Sequence, residues 1–437
     1  MKINLFILTC LLVIGLFVPI GNLSAQGNWG SYSTAIKEQG YAGQRFRLTA
    51  LIRTEAVTPE ASARQWVRVD RNNGVGFFDN MWNSPVQLNE WKEYIIEGTI
   101  DNDYSKIAFG ILCEYNGKFF VDDLRLDVQT KDRKWKRVYR NDFETNVLDL
   151  EQGIQGRNQG VNNHYKAAVT TEKAKNGKKS LLITGEGVPE YGLDRKVGKF
   201  ATVNGIQLYY ETYGSGAPLL VLHGNGGSIS NAAPHYPELI KKYKVIAVDS
   251  RGQGKSTDTD AELTYELMAS DINALLEELQ IDSTLIWGQS DGAILGLVLA
   301  MNHPGKVKKV LAFGANTQPD STALFPWAVT HFQKLITDKS TAPKERRLTQ
   351  LMLDHPNITF SSLSKVSVPV LVMAGDRDVV RPEHTLKLFQ SLPKSQLCIL
   401  PGTTHGASWE QKDLFMQILF DFFDKPFQMP TTESWFQ

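Results

Sequence analysis

The sequence predicts two folded domains, an all-β sandwich followed by an α/β domain with a mostly parallel sheet. The 437 residues exceed what one ordinary core organises. Residues 27 to 187 alternate short apolar runs with polar turns, which is the two-residue period of half-buried strands. From about residue 198, continuous apolar runs alternate with helical patterns, which indicates a sheet that is covered on both faces.

The balance of charge limits the choice of partners. Lysine and arginine together number 47, as do aspartate and glutamate, so the chain has no net formal charge. Proteins that bind nucleic acids or anionic membranes usually have a basic surface. We therefore expect a small molecule or a neutral polymer as partner, and no nucleic acid.

Residues 1 to 25 are predicted to be a secretory signal peptide. Lys2 precedes an almost uncharged apolar run, and small residues end the segment at Leu23-Ser24-Ala25. A membrane anchor is the alternative, since residues 4 to 20 are at the short limit for spanning a bilayer. A lipoprotein site at Cys10 is disfavoured because a further apolar stretch follows it. We expect export to the periplasm or the extracellular space, with no integral membrane domain after cleavage.

The region from 27 to 190 is predicted to be the β-sandwich, of jelly-roll type. Apolar residues occupy alternate positions in FRLTALI and FVDDLRLDV, and no helical period intervenes. The stretches YAGQRFRLTALIRTE, FFDNMWNSPV and IAFGILCEYNGKFFVDDLRL resemble the jelly-roll carbohydrate-binding modules of secreted enzymes, over residues 30 to 130. That resemblance implies polysaccharide binding.

Residues 141 to 187 resemble the opening strands of the same kind of module, although they follow the rest of it. A permuted module, in which the late strands complete the sandwich, is one interpretation, and a truncated second copy is the other. Permutation is favoured because a fragment of two or three strands would expose an apolar face and open edges.

Several aromatic and acidic side chains of this region have two interpretations each. Tryptophans in strands pack in cores more often than they contact sugars. Carboxylates can hold structural calcium, but solvated turns are the commoner setting. We therefore expect packing and solvation, with sugar contacts and calcium as alternatives, and we predict no metal site. The residues concerned are Trp66, Trp82, Trp91, Asp122, Asp123 and Glu144.

The region from 198 to 430 is predicted to be the α/β domain. Asn204-Gly205 between strand-like residues predicts a two-residue hairpin at its start. TYELMASDINALLEELQ has the apolar spacing of a helix that packs on the sheet. Five continuous apolar runs predict buried parallel strands, namely PLLVLHG, KVIAVD, TLIWG, KVKKVLAFG and VPVLVMAG.

Residues 288 to 292, Gly-Gln-Ser-Asp-Gly, lie between a predicted strand and a predicted helix. That context fits a nucleophile elbow, in which the glycines permit a tight crossing and Ser290 stands at the carboxyl edge of the sheet. The alternative is that Ser290 only caps the helix. The pentapeptide alone is weak evidence because chance produces it in long chains.

Three further features favour catalysis. Small residues in HGNGGS, residues 223 to 228, let backbone N–H groups face a developing oxyanion, and the amides of Asn225 and Asp291 are the predicted donors. The strand VPVLVMAG leads into two aspartates, one of which can orient a histidine. His405 follows the last strand, in LPGTTHGAS, at the same predicted edge. His223 is expected to be a structural residue of the oxyanion loop.

The motifs HGNGG, DSRGQGKS, GQSDG, AGDRD and PGTTHG closely resemble those of the α/β-hydrolase family, over residues 198 to 425. The order serine, acid, histidine is also the order expected of that family. The resemblance implies that Ser290 is the nucleophile and that His405 is the general base and then the acid. Asp378 is the residue implied to orient the histidine, because relatives usually place the acid three residues after this glycine, and Asp376 is the alternative.

Two features concern specificity. Asp291 stands where the family often has a neutral residue, and its carboxylate is expected to favour the helix N-terminus. The alternative is that its charge disfavours anionic substrates. Residues 315 to 366 interrupt the strand-helix alternation and correspond to the small helical cap of many relatives. We expect its aromatic side chains to pack against the body, with a substrate channel as the alternative; they are Phe325, Trp327, His331 and Phe332.

The leading prediction is an exported serine hydrolase that cleaves a carboxylic ester, of a small molecule or a carbohydrate, through an acyl-enzyme and without a cofactor. Peptidases and carbon-carbon hydrolases that use the same triad are alternatives. A non-catalytic carbohydrate-binding surface protein is a third, since a fold does not guarantee a function. Enzymes of this fold with an aspartate nucleophile are disfavoured by Ser290.

Overall fold

A computed structural model of the protein describes residues 28–155 and 162–436, which form two compact units. One unit comprises Gly27–Glu190 and the other contains Tyr191–Gln437. The predicted signal peptide, residues 1 to 25, lies outside the described residues. No helix in the described ranges is long and apolar enough to cross a membrane.

The first unit consists of two antiparallel sheets. The strands are β1 (Trp29–Ile36), β2 (Arg45–Ala56), β3 (Ser62–Arg71), β4 (Gly74–Asp79), β5 (Lys92–Thr99), β6 (Tyr104–Glu114), β7 (Gly117–Gln129), β8 (Trp135–Asn141), β9 (Glu151–Gln152), β10 (Tyr165–Thr170) and β11 (Ser180–Gly185). One sheet has the order β4-β3-β6-β1-β9. The other has the order β10-β11-β7-β2-β5, with β8 also paired to β7.

The two-residue period of the sequence gives each strand of this unit a core face. In β2, Phe46, Leu48, Ala50 and Ile52 are fully buried, as the alternation predicts. The late strands join the early ones, since β9 pairs with β1 and β11 pairs with β7. They therefore extend both sheets, while the jelly-roll connectivity and its permutation stay predictions.

The three tryptophans of interest have different surroundings. Trp66 is buried, and its Nε1 donates to the Ser31 hydroxyl at 3.0 Å, so its packing role is confirmed. Trp82 is part-exposed, with the Arg64 guanidinium 4.4 Å from its ring centroid. Trp91 is also part-exposed and packs edge-on against Phe120. Only Trp82 and Trp91 therefore retain surface that a ligand can reach.

The expectation of solvated turns for the carboxylates is wrong for Asp122 and Asp123, which are buried within β7. Asp122 accepts from two backbone amides at 2.9 and 2.8 Å, and Asp123 forms ion pairs with two arginines. Glu144 accepts from two further backbone amides, each at 2.8 Å. In the described ranges, no group of three or more His, Cys, Asp or Glu has the arrangement of a metal site.

The second unit contains an eight-stranded sheet of order β12-β13-β15-β14-β16-β17-β18-β19. Its strands are β12 (Lys199–Val203), β13 (Ile206–Tyr213), β14 (Ala217–Leu222), β15 (Tyr243–Val248), β16 (Thr284–Gln289), β17 (Val307–Phe313), β18 (Val370–Gly375) and β19 (Ser395–Leu400). Strands β12 and β13 are antiparallel to their neighbours, and the other pairings are parallel. Asn204 and Gly205 form the predicted hairpin turn, with φ of 43° and 79°.

Helices cover both faces of this sheet. They are α1 (Tyr236–Leu239), α2 (Tyr265–Glu278), α3 (Asp291–Asn302), α4 (Pro326–Thr337), α5 (Pro343–Asp354), α6 (Pro382–Ser391), α7 (Ala407–Glu410) and α8 (Lys412–Asp424). Helices α2, α3 and α6 share one apolar core with the sheet, while α1 and α8 share the core on the other face. The predicted stripe of α2 is part of the first core, since Met268, Ile272 and Leu275 are buried.

The predicted insertion between β17 and β18 contains α4, α5 and a 3-10 turn at Phe360–Lys365. Phe332 is buried in a cluster with Leu324, Ala328 and Val380, so the packing interpretation is confirmed for this side chain. Trp327 is half-exposed, and Phe325 and His331 are part-buried. A small apolar cluster therefore packs the insertion against Val380, which follows β18.

Candidate active site

Ser290 lies where β16 ends and α3 begins. Its backbone has φ 54° and ψ −117°, a conformation that residues other than glycine rarely adopt. Its amide donates to the Phe313 carbonyl at the end of β17, at 2.8 Å. The hydroxyl makes no capping hydrogen bond, so the alternative that Ser290 only caps the helix finds no support in the contacts.

Steric crowding requires glycine at both ends of the pentapeptide. A Cβ at Gly288 would lie 2.2 Å from the Gly292 carbonyl oxygen, and a Cβ at Gly292 would lie 2.2 Å from the Leu222 carbonyl oxygen. Both distances are far inside van der Waals contact, and both involve backbone that cannot move independently. Strand β14 and the crossing at Ser290 can approach this closely only because both positions are glycine.

His405 is paired with Asp378 and not with Asp376. Its Nδ1 lies 2.6 Å from Asp378 Oδ1, and the same carboxylate oxygen accepts from the Val380 amide at 3.0 Å. Asp376 instead accepts from the backbone amide of Gly402 at 2.9 Å, which braces the turn before the histidine. Because Asp378 cannot donate when ionised, the ring carries its proton on Nδ1, which leaves Nε2 as an acceptor.

The contact between Asp378 and His405 shifts their pKa values in opposite directions. Burial alone would raise the pKa of Asp378, but His405 and backbone N–H groups outweigh burial, so the pKa lies below its ordinary value. Burial alone would lower the pKa of His405, but Asp378 and then Asp291 outweigh it, so the pKa lies above its ordinary value. Asp378 therefore stays ionised and stabilises the protonated form of His405.

The structure brings His405 to the same sheet edge as Ser290. The Gln289 side chain donates to the His405 carbonyl at 2.8 Å, which ties the histidine loop to the residue before Ser290. A Cβ at Gly314, which directly follows β17, would lie 2.5 Å from His405 Cε1. Within the described chain, no hydrogen bond joins the Ser290 hydroxyl to the imidazole, and such bonds often tighten only when substrate is present.

The predicted oxyanion loop, residues 223 to 228, follows β14 and contains one amide with an acceptor and one without. Gly226 N–H donates to Gln253 Oε1 at 2.6 Å, while the Asn225 N–H has no acceptor among the described residues. Asp291 begins α3, and the amides of a first helical turn lack intrahelical partners. The two predicted donor amides are therefore available for a ligand oxygen.

His223 is a structural residue of this loop, as expected. Its Nδ1 lies 2.7 Å from the Gly224 carbonyl oxygen, and its Nε2 accepts from the Ser250 amide at 3.0 Å. Burial lowers the pKa of His223 to about 4, so the ring is neutral at pH 7. It therefore links the oxyanion loop to the end of β15.

The side chain of Asp291 lies in the first turn of α3, as predicted, and it is buried there. Its Oδ2 accepts from Asn225 Nδ2 and its Oδ1 accepts from the Tyr265 hydroxyl, both at 2.9 Å. Burial raises the pKa of Asp291 to about 6, against the opposing effect of these donors and of His405. Sequence reasoning missed Tyr265, because the contact joins two different helices, across 26 positions of the chain, and no motif marks it.

Comparison with known proteins supports the assignment of the fold. Residues 217–338 match the family model described as alpha/beta hydrolase fold. "Serine hydrolase BPHL" of Mus musculus is 29% identical over 247 residues, which are 50% of this chain and 84% of that protein. "2-hydroxy-6-oxo-6-phenylhexa-2,4-dienoate hydrolase" of Burkholderia cepacia is 25% identical over 51% of this chain and 95% of that protein. The C-terminal unit therefore has the alpha/beta hydrolase fold.

A shorter segment of the chain has a higher sequence identity to a further relative. "Probable proline iminopeptidase" of Streptomyces coelicolor is 36% identical over 126 residues, which are 26% of this chain and 38% of that protein. The names of these three relatives describe a serine hydrolase, a dienoate hydrolase and a probable iminopeptidase. Their similarity to this chain therefore supports a hydrolase without selecting one bond.

We expect Asp378→Asn to lower the pKa of His405, because the carboxylate that stabilises the imidazolium is lost. Asp376→Asn is the matched control and should leave that pKa nearly unchanged. The measurement is an NMR titration of the imidazole Cε1 proton, assigned with His405→Gln. An equal fall in both variants, or a fall in Asp376→Asn alone, would contradict the pairing.

Proposed function

We propose that the C-terminal unit is a serine hydrolase that cleaves carboxylic esters through an acyl-enzyme. Ser290 is the nucleophile, His405 is the general base and then the acid, and Asp378 orients the histidine. The observation that carries the proposal is the strained backbone of Ser290, at the sheet edge that also holds the His405–Asp378 pair. Strain of this kind persists where surrounding structure enforces it, and it concentrates at functional sites.

The proposed reaction proceeds in two halves. His405 Nε2 takes the hydroxyl proton as Ser290 Oγ bonds to the ester carbonyl carbon, and the carbonyl oxygen becomes an oxyanion. The amides of Asn225 and Asp291 donate to that oxygen, and one such donor can supply about 3 to 4 kcal/mol. Collapse breaks the bond to the alcohol, which leaves with the proton from His405. Water then attacks the acyl-enzyme in the same way and releases the acid.

Hydrolysis of a peptide bond or of a carbon-carbon bond is the second candidate function, and the comparison with relatives supports it. Relatives named as an iminopeptidase and as a dienoate hydrolase match this unit. Leu348 of α5 contacts the oxyanion loop, because its carbonyl accepts from Asn225. We therefore expect contacts between the substrate and the helices α4 and α5 to determine which type of bond is cleaved. A non-catalytic role is disfavoured because it would not explain the strained backbone of Ser290.

For the first unit, we propose a jelly roll of carbohydrate-binding type, permuted so that the late strands complete it, in a protein exported by its N-terminal segment. Its antiparallel sheets and the part-exposed Trp82 and Trp91 support this. Flat aromatic faces suit sugar rings because both surfaces are apolar. The proposed ester would then be a small molecule or a substituent of the polysaccharide that this unit binds.

Ser290→Ala should abolish ester turnover, because the other triad residues contribute little without the nucleophile. The expected fall in kcat is about 10⁴ to 10⁶-fold on an aryl ester. The same protein should no longer react with a fluorophosphonate probe, whereas Ser361→Ala, at an exposed serine, should behave as wild type. Equal turnover in wild type and Ser290→Ala would remove Ser290 from the mechanism.

A parallel panel of acetylated sugars, feruloylated sugars and amino-acid amides identifies the type of bond that the wild-type protein cleaves.

The buried charge of Asp291 predicts discrimination against anionic substrates. Charges interact more strongly where water is excluded, so an ester with a carboxylate in its acyl chain should react more slowly than a neutral isostere. We expect a ratio of roughly ten-fold in kcat/KM, equivalent to about 1.4 kcal/mol. Asp291→Asn should narrow that ratio and Asp376→Asn should not. An unchanged ratio in Asp291→Asn would exclude this role for the charge.

Polysaccharide binding predicts retardation of the full chain in affinity electrophoresis through at least one glycan-containing gel. Trp82→Ala and Trp91→Ala should each weaken the retardation, because an aromatic stacking surface is worth about 1 kcal/mol or more. Leu88→Ala, at an exposed apolar residue nearby in sequence, is the control. If no tested glycan retards the wild-type chain, the proposal that this unit binds polysaccharide is contradicted.

A further inference from the structure

The two proposed oxyanion donors come from separate segments, and their side chains are joined. Asn225 belongs to the loop after β14, and Asp291 begins α3. Asn225 Nδ2 donates to Asp291 Oδ2 at 2.9 Å, and both residues are almost fully buried. The hydrogen bond between the side chains therefore joins the two segments that carry the proposed donor amides.

Two further segments fix this bridge. The Tyr265 hydroxyl, at the start of α2, donates to the second carboxylate oxygen of Asp291 at 2.9 Å. The Leu348 carbonyl of α5 accepts from Asn225 Nδ2 at 3.1 Å. The carboxylate of Asp291 thus joins α2, α3 and the oxyanion loop, and Asn225 extends the connection to the insertion.

The charge on this bridge is unusual for a packing role. A buried carboxylate is costly unless it is paired, and both hydrogen-bond donors here are neutral. In the described chain, Asp291 forms no ion pair with lysine or arginine, and the titratable groups that act on it are Tyr265 and His405. Hydrogen bonds to an ionised acceptor are stronger than neutral ones, so the charge strengthens the bridge.

We propose that the Asp291 carboxylate is a positioning residue, which fixes the separation of the Asn225 and Asp291 amides so that both reach one oxyanion. The inference rests on the proposed function. Donors must lie about 2.7 to 3.1 Å from the oxyanion, and a misplacement of 1 Å can cost about 10²-fold in rate. The carboxylate itself does not touch the reacting atoms.

The test compares Asp291→Ala, Asp291→Asn and Tyr265→Phe on a neutral aryl ester, with a trifluoromethyl ketone as a probe of the oxyanion site. Asp291→Ala should lower kcat by about 10²-fold with little change in KM. Affinity for the ketone, whose tetrahedral adduct carries an oxyanion, should fall in parallel. Asp291→Asn should recover most of both losses, because its amide oxygen still accepts from Asn225. Tyr265→Phe, which removes one hydroxyl, should give a smaller fall of the same kind.

The pH profile gives a readout that a purely structural role would not move. The base His405 must be neutral, and the negative charge of Asp291 favours its protonated form, as does Asp378. Asp291→Asn should therefore shift the acidic limb of kcat/KM to lower pH. Asp376→Asn should leave that limb in place.

The outcomes are separable. Unchanged kcat and ketone affinity in Asp291→Ala would overturn the positioning role, as would a rise in KM alone, which would assign the carboxylate to substrate binding. If Asp291→Ala does not fold, unchanged kcat in Tyr265→Phe overturns it instead. Ser290→Ala is measured in parallel, because full turnover in that variant contradicts the proposed function itself and not only the role of Asp291.

Discussion

The sharp crossing from β16 into α3 at Ser290 is the constraint on which the candidate site depends. It requires glycine at 288 and 292, because backbone atoms of Gly292 and Leu222 occupy the space of a side chain. The backbone cost at Ser290 is met by packing on both faces of the sheet. In return, the crossing places Ser290 between the end of β16 and the start of a helix, whose first amides lack partners within the helix.

Two buried carboxylates flank His405 and have different partners. Asp378 pairs directly with the imidazole and with backbone amides, so it remains ionised and fixes the ring. Asp291 has two neutral side-chain donors, and burial raises its pKa to about 6. The first arrangement suits a residue that holds a base in one tautomer, and the second suits one that holds backbone segments together. Their environments, not their residue type, separate these roles.

Local patterns predicted much of the second unit, including the five parallel strands, the Asn204-Gly205 turn and the strained elbow. These features depend on residues close together in sequence, such as apolar runs and glycines at fixed spacing. The burial of Asp291 was not predictable, because its donors Asn225 and Tyr265 come from distant segments. The same reason explains the error at Asp122, whose donors lie in a later turn, and in part at Asp123, which pairs with Arg140 of β8 as well as with Arg125 of its own strand. It also applies to the connectivity of the first unit, which periodicity does not encode.

The central claim is that the hydroxyl of Ser290 and the amides of Asn225 and Asp291 act on one carbonyl group. A crystal structure of the protein after reaction with a phosphonate ester tests it most directly. Phosphorus is expected to be bonded to Ser290 Oγ, with the phosphoryl oxygen about 2.7 to 3.1 Å from both amide nitrogens. A phosphonate on another residue, or a phosphoryl oxygen that faces away from both amides, would contradict it.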